Sequence, residues 1–396
     1  MRGSSRRWRL AEFKTGNRIH LLVRGAEFFP ALVTAIDQAK RDVSLETYIY
    51  ADDAAGESVT VALERAALRG VSVRLLIDGF GAKDFREDWR ARLQAAKASV
   101  LAYRPDIAPW TFRTERLRRM HRKIAVIDGC IAFVGGINVI DDLNGVPPDC
   151  PRFDLSVRVD GPVVADIYLA VEKLWRRVAW LRLKQRFSQK IQLAPFSIVA
   201  ESRGEQKAAF VQRDNLRFRR SIEEEYLAAI MRARRDVYIA CAYFLPGTRF
   251  RRELKAAAER GVRVVLLLQG HTDHRLLQLA TRAFYESMLD RGVEICEYSR
   301  SELHAKAAVV DGRWATVGSS NLDPLSLVLA REANMVVEDE AFAESLRDAI
   351  EAAIKEGATP VRRMLWKHRP WWQRVSIWFG YGVARFAMGL LGMRGF

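Results

Sequence analysis

Residues 121–128, "HRKIAVID", and residues 304–311, "HAKAAVVD", decide how this chain is read. Each places a Lys two positions after a His and an Asp five positions after that Lys. Each then runs into a glycine turn ending in Asn: Gly135, Gly136 and Asn138 in one case, Gly318, Ser319 and Asn321 in the other. The chain has only six histidines, so two of them at one place in matched segments is a strong coincidence. Two copies of one half-site predict one active site made by two halves that face each other.

The flanks "KIAVID" and "KAAVVD" are apolar and partly β-branched, which predicts strands. Residues i and i+2 of a strand share a face, so His121 with Lys123, and His304 with Lys306, project into one space. Asp128 and Asp311 sit at the strand ends, an odd number of positions from the histidines, and read as scaffold carboxylates that fix the turn. Two imidazoles and two ammoniums around one small volume suit a phosphodiester. One His attacks phosphorus, the other protonates the leaving oxygen, and the lysines stabilise charge on the remaining oxygens. Asn138, Ser319 and Asn321 are the expected additional contacts to those oxygens. A nucleophilic His needs its tautomer set by a carboxylate. The repeat supplies Asp154 and Glu332, each at the start of a later apolar run, with Asp154 expected to orient His121 and Glu332 to orient His304. This chemistry needs neither metal nor cofactor; His271, Asp273 and His274 ("HTDH") read as a loop and helix start rather than ligands.

Working outward, the repeat covers most of the chain. "AKRDVSLETYIYADD" from Ala39 matches "ARRDVYIACAYFLPG" from Ala233, and "ERAALRGVSVRLLIDG" from Glu64 matches "KAAAERGVRVVLLLQG" from Lys255. Helices are predicted over 57–69 and 250–260, stopped by Gly70 and Gly261, with buried strands over 71–77 and 262–268. The fold class is therefore α/β: two pseudo-symmetric halves, each a mixed β-sheet flanked by helices, with the active site at their interface. The expected divisions are 1–204 (first half and linker), 205–365 (second half) and a tail, 366–396.

A formal charge of +16, from 64 Lys and Arg against 48 Asp and Glu, points to an anionic partner surface, nucleic acid or acidic lipid. At 49% hydrophobic the composition is globular rather than that of a polytopic membrane protein. The four cysteines are scattered and read as incidental thiols in a reducing compartment. The Arg-rich N-terminus lacks the apolar core of a signal peptide, which places the protein on the cytoplasmic side.

The paired H-x-K-x-x-x-x-D motif with its G-(S/G)-x-N turn resembles the phospholipase D superfamily. "SSNLDPLSL" from Ser319, "YFLPG" from Tyr243, "DGFGAK" from Asp78 and "VRVDGPVV" from Val157 narrow the resemblance to the bacterial cardiolipin synthases of the short form, over about residues 16–358. The resemblance implies that His121, Lys123, Asp128, His304, Lys306 and Asp311 form the catalytic motif, with His121 as nucleophile and His304 as general acid. It also implies a phosphatidyl-histidine intermediate and transfer from one phosphatidylglycerol to another. Gly136 stands where many relatives carry Ser, which removes one hydroxyl from the first half.

The tail "RPWWQRVSIWFGYGVARFAMGLLGM" is aromatic and basic, and Arg385 interrupts its apolar run. A central Arg costs about 2.5–3.5 kcal/mol in a span, so an interfacial helix is expected, with a membrane-spanning anchor and a helix docked on the protein's own core as the alternatives. Trp110, Phe112, Arg113, Arg116, Arg118 and Arg119 form a second basic and aromatic set. The expected partners are an anionic phospholipid membrane and phosphatidylglycerol, at the cytoplasmic face, with no nucleic acid. Hydrolysis by a phospholipase D, a nuclease, and a noncatalytic lipid-binding protein are the competing readings.

Overall fold

The β-branched runs of both halves join into one sheet, because strands apolar on both faces need cover on both. The computed structural model describes residues 11–105, 118–145, 147, 150–183, 201–214, 218, 220–270, 275–323, 330–367 and 370–390. The first half opens with β1 (Lys14–Val23), α1 (Arg24–Gln38), β2 (Asp42–Thr47), α2 (Ala54–Leu68), β3 (Ser72–Asp78), α3 (Glu87–Ala95) and β4 (Ser99–Tyr103). It continues through β5 (Arg119–Met120), β6 (Lys123–Ile127), β7 (Ile131–Gly135), β8 (Leu155–Asp160) and α4 (Val164–Leu183). The second half begins with β9 (Gln206–Arg213), α5 (Ser221–Arg232), β10 (Asp236–Cys241), α6 (Thr248–Glu259), β11 (Arg263–Gln269), α7 (Arg275–Arg282) and α8 (Tyr285–Leu289). Then come β12 (Glu294–Tyr298), β13 (Lys306–Val310), β14 (Trp314–Gly318), β15 (Ala330–Glu338), α9 (Glu340–Gly357) and β16 (Ala358–Pro360). The chain closes with α10 (Arg363–Lys367) and α11 (Trp371–Leu390).

The strand order is β16-β12-β11-β10-β13-β14-β15-β9-β1-β8-β7-β6-β2-β3-β4. Read outward from the β9–β1 junction it is the same seven-strand path twice, with β16 added at the end of the second half's, so β1 and β9 straddle a pseudo-twofold axis. The parallel pairs β2–β3 and β10–β11 carry their crossover helices α2 and α6. Each crossover helix ends where a glycine takes positive φ, 89° at Gly70 and 88° at Gly261. One apolar cluster runs through both halves, with Val126, Val134 and Val157 packed in the same core as Val309, Val317 and Met335. That shared core fixes the halves against each other.

Candidate active site

Asp128 and Asp311 anchor the floor of each half. Each has positive φ, 52° and 54°, followed by a positive-φ glycine, which makes the tight turn between β6 and β7 and between β13 and β14. The Asp128 carboxylate accepts from the backbone N–H groups of Lys40, Arg41 and Asp42, and that of Asp311 from Arg234, Arg235 and Asp236. These aspartates clamp the starts of β2 and β10 and lie at the far end of the strands from the motif histidines.

Neither histidine belongs to the strand that follows it. Each is tied to the opposite half instead. Short β5 pairs in parallel with β15, and His121 donates its backbone N–H to Arg331 O at 3.0 Å. On the other side Leu303 bridges to Phe153, and His304 N–H reaches Phe153 O at 2.8 Å. The imidazoles consequently meet the carboxylates of the opposite half. His121 Nδ1 lies 3.1 Å from Glu332 Oε1, and His304 Nδ1 lies 2.5 Å from Asp154 Oδ2. The two orienting carboxylates are those expected, but the pairing is crossed. Asp154 serves His304, and Glu332 serves His121, because backbone bonds across the interface carry each His to the other half's strand.

With Nδ1–H given to a carboxylate, each imidazole keeps Nε2 for chemistry. The lysines return to their own motif: Lys123 Nζ donates to His121 O at 2.6 Å, and Lys306 Nζ donates to His304 O. Both ammoniums are buried, and burial dominates their titration. It lowers Lys123 to about 7, against the pull of Glu332, and lowers Lys306 against the pull of Asp154. Burial also lowers His121, opposed by Glu332. His304 is held well below its ordinary value by burial, with Lys306, Lys123 and Arg152 adding repulsion. Each lysine is felt by the opposite half's histidine, so the four groups share one field.

The carboxylates differ. Burial raises Asp154 to about 6. Burial also pushes Glu332 up, but His121, Arg213 and Lys123 together pull it below the ordinary carboxylate value. Ser319, expected on substrate phosphate, donates its hydroxyl to Glu332 Oε2 at 2.5 Å and accepts from Ala333 N–H. At the matching position of the first half stands Gly136, where a Cβ would lie 2.2 Å from Asp154 Oδ1. Serine does not fit there without a shift of that carboxylate. Asn138 is buried and its Oδ1 accepts from Ile49 N–H at 3.0 Å, which ties it to the loop after β2. Asn321 is also buried, and its Oδ1 meets no donor among the described residues.

Three contributors escape sequence reasoning. Arg213, fully buried, places Nη2 3.6 Å from Glu332 Oε1. Its only sequence signal is a charge following Ala209 and Val211 on one face of β9. Tyr48 packs against His121 with ring centroids 4.8 Å apart and planes tilted by 58°, and its ring centroid lies 5.4 Å from Lys123 Nζ. The repeat aligns it with Ala242 and so does not flag it. Arg122, between the motif His and Lys, forms a buried ion pair with Glu46. The positions His271, Asp273, His274, Trp110, Phe112, Arg113 and Arg116 lie outside the described residues.

Comparison with known proteins identifies the family. The family model described as cardiolipin synthase, phospholipase D-like domain, matches residues 32–143 and 226–354, more than half of the chain. Cardiolipin synthase B of Salmonella typhi is 40% identical over 384 residues, covering 96% of this chain and 91% of that protein. Cardiolipin synthase B of Escherichia coli K12 is 38% identical over the same span. Among solved structures, phosphatidylserine synthase of Haemophilus influenzae Rd KW20 superposes with TM-score 0.65 at 13% identity, covering 87% of each chain, which speaks to the fold alone. The family model over both halves and 40% identity along nearly the whole length show that this chain belongs to the cardiolipin synthase family of phospholipase D-like proteins.

Proposed function

We propose that the chain is a phosphatidyltransferase that moves the phosphatidyl group of one phosphatidylglycerol to a hydroxyl of a second, giving cardiolipin and glycerol. The observation that carries this reading is the pair of crossed His–carboxylate dyads with two buried lysines beside them. His121 Nε2 attacks phosphorus and forms the P–N bond as the P–O bond to glycerol breaks. His304, protonated on Nε2 beside the anionic phosphodiester, gives its proton to the departing oxygen. In the second step the incoming hydroxyl passes its proton back to His304, attacks phosphorus, and the P–N bond breaks.

His121 suits the nucleophile because attack leaves positive charge on its ring, and Glu332, held ionised, compensates that charge. His304 suits proton transfer because Asp154 holds its Nδ1 at 2.5 Å and leaves Nε2 to carry the proton. Lys123 and Lys306 neutralise the equatorial oxygens, with Asn321 as the buried amide nearest in role. The reaction takes place at an anionic phospholipid membrane, with the protein peripheral to its cytoplasmic face.

Purified protein added to phosphatidylglycerol vesicles is expected to form cardiolipin and glycerol in equal amounts. Phosphatidic acid as the main product would replace transfer by hydrolysis. His304→Ala is expected to trap label from phosphatidylglycerol on His121, located by peptide mass spectrometry. Label on another residue would overturn the assignment of the nucleophile.

A further inference from the structure

The C-terminal helix α11 has two apolar faces, and among the described residues only one is covered. Ile377, Gly380 and Tyr381 face inward. A Cβ on Gly380 would stand 2.6 Å from the Leu279 Cβ of α7, and the Tyr381 ring meets Phe284 edge-on at 5.1 Å. Trp371, Trp372, Val375, Trp378, Phe379 and Phe386 are exposed, with Trp371 at 76% and Phe386 at 69%. At about 100° per residue these six fall within an arc of about 120°, on the side of the helix away from the buried set. Exposed Ser376 and Arg385 mark its two borders. A scattered exposed apolar residue needs no account, but a continuous stripe of three tryptophans and two phenylalanines does.

The place of this stripe in the fold bears on what covers it. β11 ends at Gln269, whose Oε1 accepts from Leu303 N–H at 2.6 Å, directly beside His304. Helix α7 follows β11 on that same sheet edge, fastened by a hydrogen bond from Gln278 Nε2 to Gly270 O. Helix α11 lies along α7, so the bare aromatic arc belongs to the edge that carries the motif histidines. The charge of the tail also selects a partner. Beyond Glu356 the chain has neither Asp nor Glu but seven Lys and Arg, from Arg362 to Arg394. Aromatic rings bordered by cations on an amphipathic helix suit the headgroup region of an acidic bilayer. Among the described residues no helix is long and apolar enough to cross a membrane.

We propose that the exposed arc of α11 is the surface on which this protein sits on an anionic phospholipid bilayer, and that its buried arc, keyed to α7, turns the active-site edge toward the lipid. The proposal rests on the lipid substrate argued above and specifies how the site reaches it. The test is flotation of the full chain with mixed phosphatidylcholine and phosphatidylglycerol vesicles, a measurement that needs no turnover. A chain that floats but makes no cardiolipin therefore refutes the activity and leaves the docking surface standing. The combined variant Trp371→Ser, Trp378→Ser and Phe379→Ser is expected to lower the vesicle partition coefficient at least about tenfold. An unchanged coefficient would overturn the proposal, as would equal binding of the wild-type chain to pure phosphatidylcholine vesicles. If the triple variant melts early, wild-type tryptophan fluorescence decides. Chain-brominated lipid is expected to quench it, and absence of quenching sinks the docking surface.

Discussion

Glu332 and Asp154 occupy matched positions but hold their histidines in different electrical states. Behind Glu332 stand the Ser319 hydroxyl and the Arg213 guanidinium; behind Asp154 stands Gly136, with no room for a hydroxyl. If Glu332 orients His121 and balances its charge during attack, Glu332→Gln should lower kcat by about 10²–10⁴ with little change in KM, since geometry survives while the tautomer fails. Ser319→Ala removes one charge-assisted hydrogen bond worth about 1.5–3 kcal/mol and should cost less, roughly ten- to a hundredfold. Steady-state kinetics on the two variants check both. The lysines set a second expectation. Burial lowers Lys123 to about 7, so in the free enzyme its ammonium is lost as pH rises through that value. The kcat/KM profile should then fall on an alkaline limb near pH 7. Lys123→Arg, which keeps its charge throughout, should remove that limb even though the maximum rate drops. A limb that stays in place in the arginine variant would assign it to another group.

At the scale of elements, the two motif strands are held by unlike means. In the first half Arg122 on the approach to β6 is paired with Glu46 of β2, both fully buried; the second half has Ala305 and Ala240 in those places. A buried ion pair adds little over apolar packing, but halving it leaves one charge unpaired. Arg122→Ala should therefore destabilise the protein by about 3–5 kcal/mol in urea denaturation, while Arg122→Met combined with Glu46→Leu should recover most of that loss. The sequence pointed to the strands themselves, because β-branched runs at repeated spacing carry a periodic signal. It pointed to the dyad carboxylates as well, through their matched register ahead of β8 and in β15. The crossed pairing was illegible. It is made by the two-residue strand β5 against β15 and by one bridge between Phe153 and Leu303, segments too short for any period. The tail shows another limit. In sequence an interfacial face and a docked face stand as alternatives, yet a helix has room for both, and only the burial of Ile377 and the close approach of Gly380 to Leu279 of α7 separate them.

For the whole molecule, the crossing makes each half chemically incomplete. His121 and Lys123 lie in the first half, while the carboxylate that sets the His121 tautomer lies in the second; for His304 the reverse holds. The halves are joined by β1, which pairs with β8 of its own half and with β9 of the other. They are joined also by β5 on β15 and by the shared apolar core. Each of these described contacts lies outside 184–205. A chain divided between Gly204 and Glu205, just before β9, should accordingly assemble when residues 1–204 and 205–396 are produced together, since the lost linkage costs association entropy but no contact. Each fragment alone should show no phosphatidyl transfer, and the co-produced pair should regain a measurable share of the parent activity. His121→Ala in the first fragment, or Asp154→Asn in the same fragment, should abolish the recovered activity through different halves of the site, the latter by freeing His304 in the intact partner fragment. Activity from either fragment alone, as from a homodimer of one half completing its own dyad, would show that the crossing is not required and that the two halves are catalytically self-sufficient.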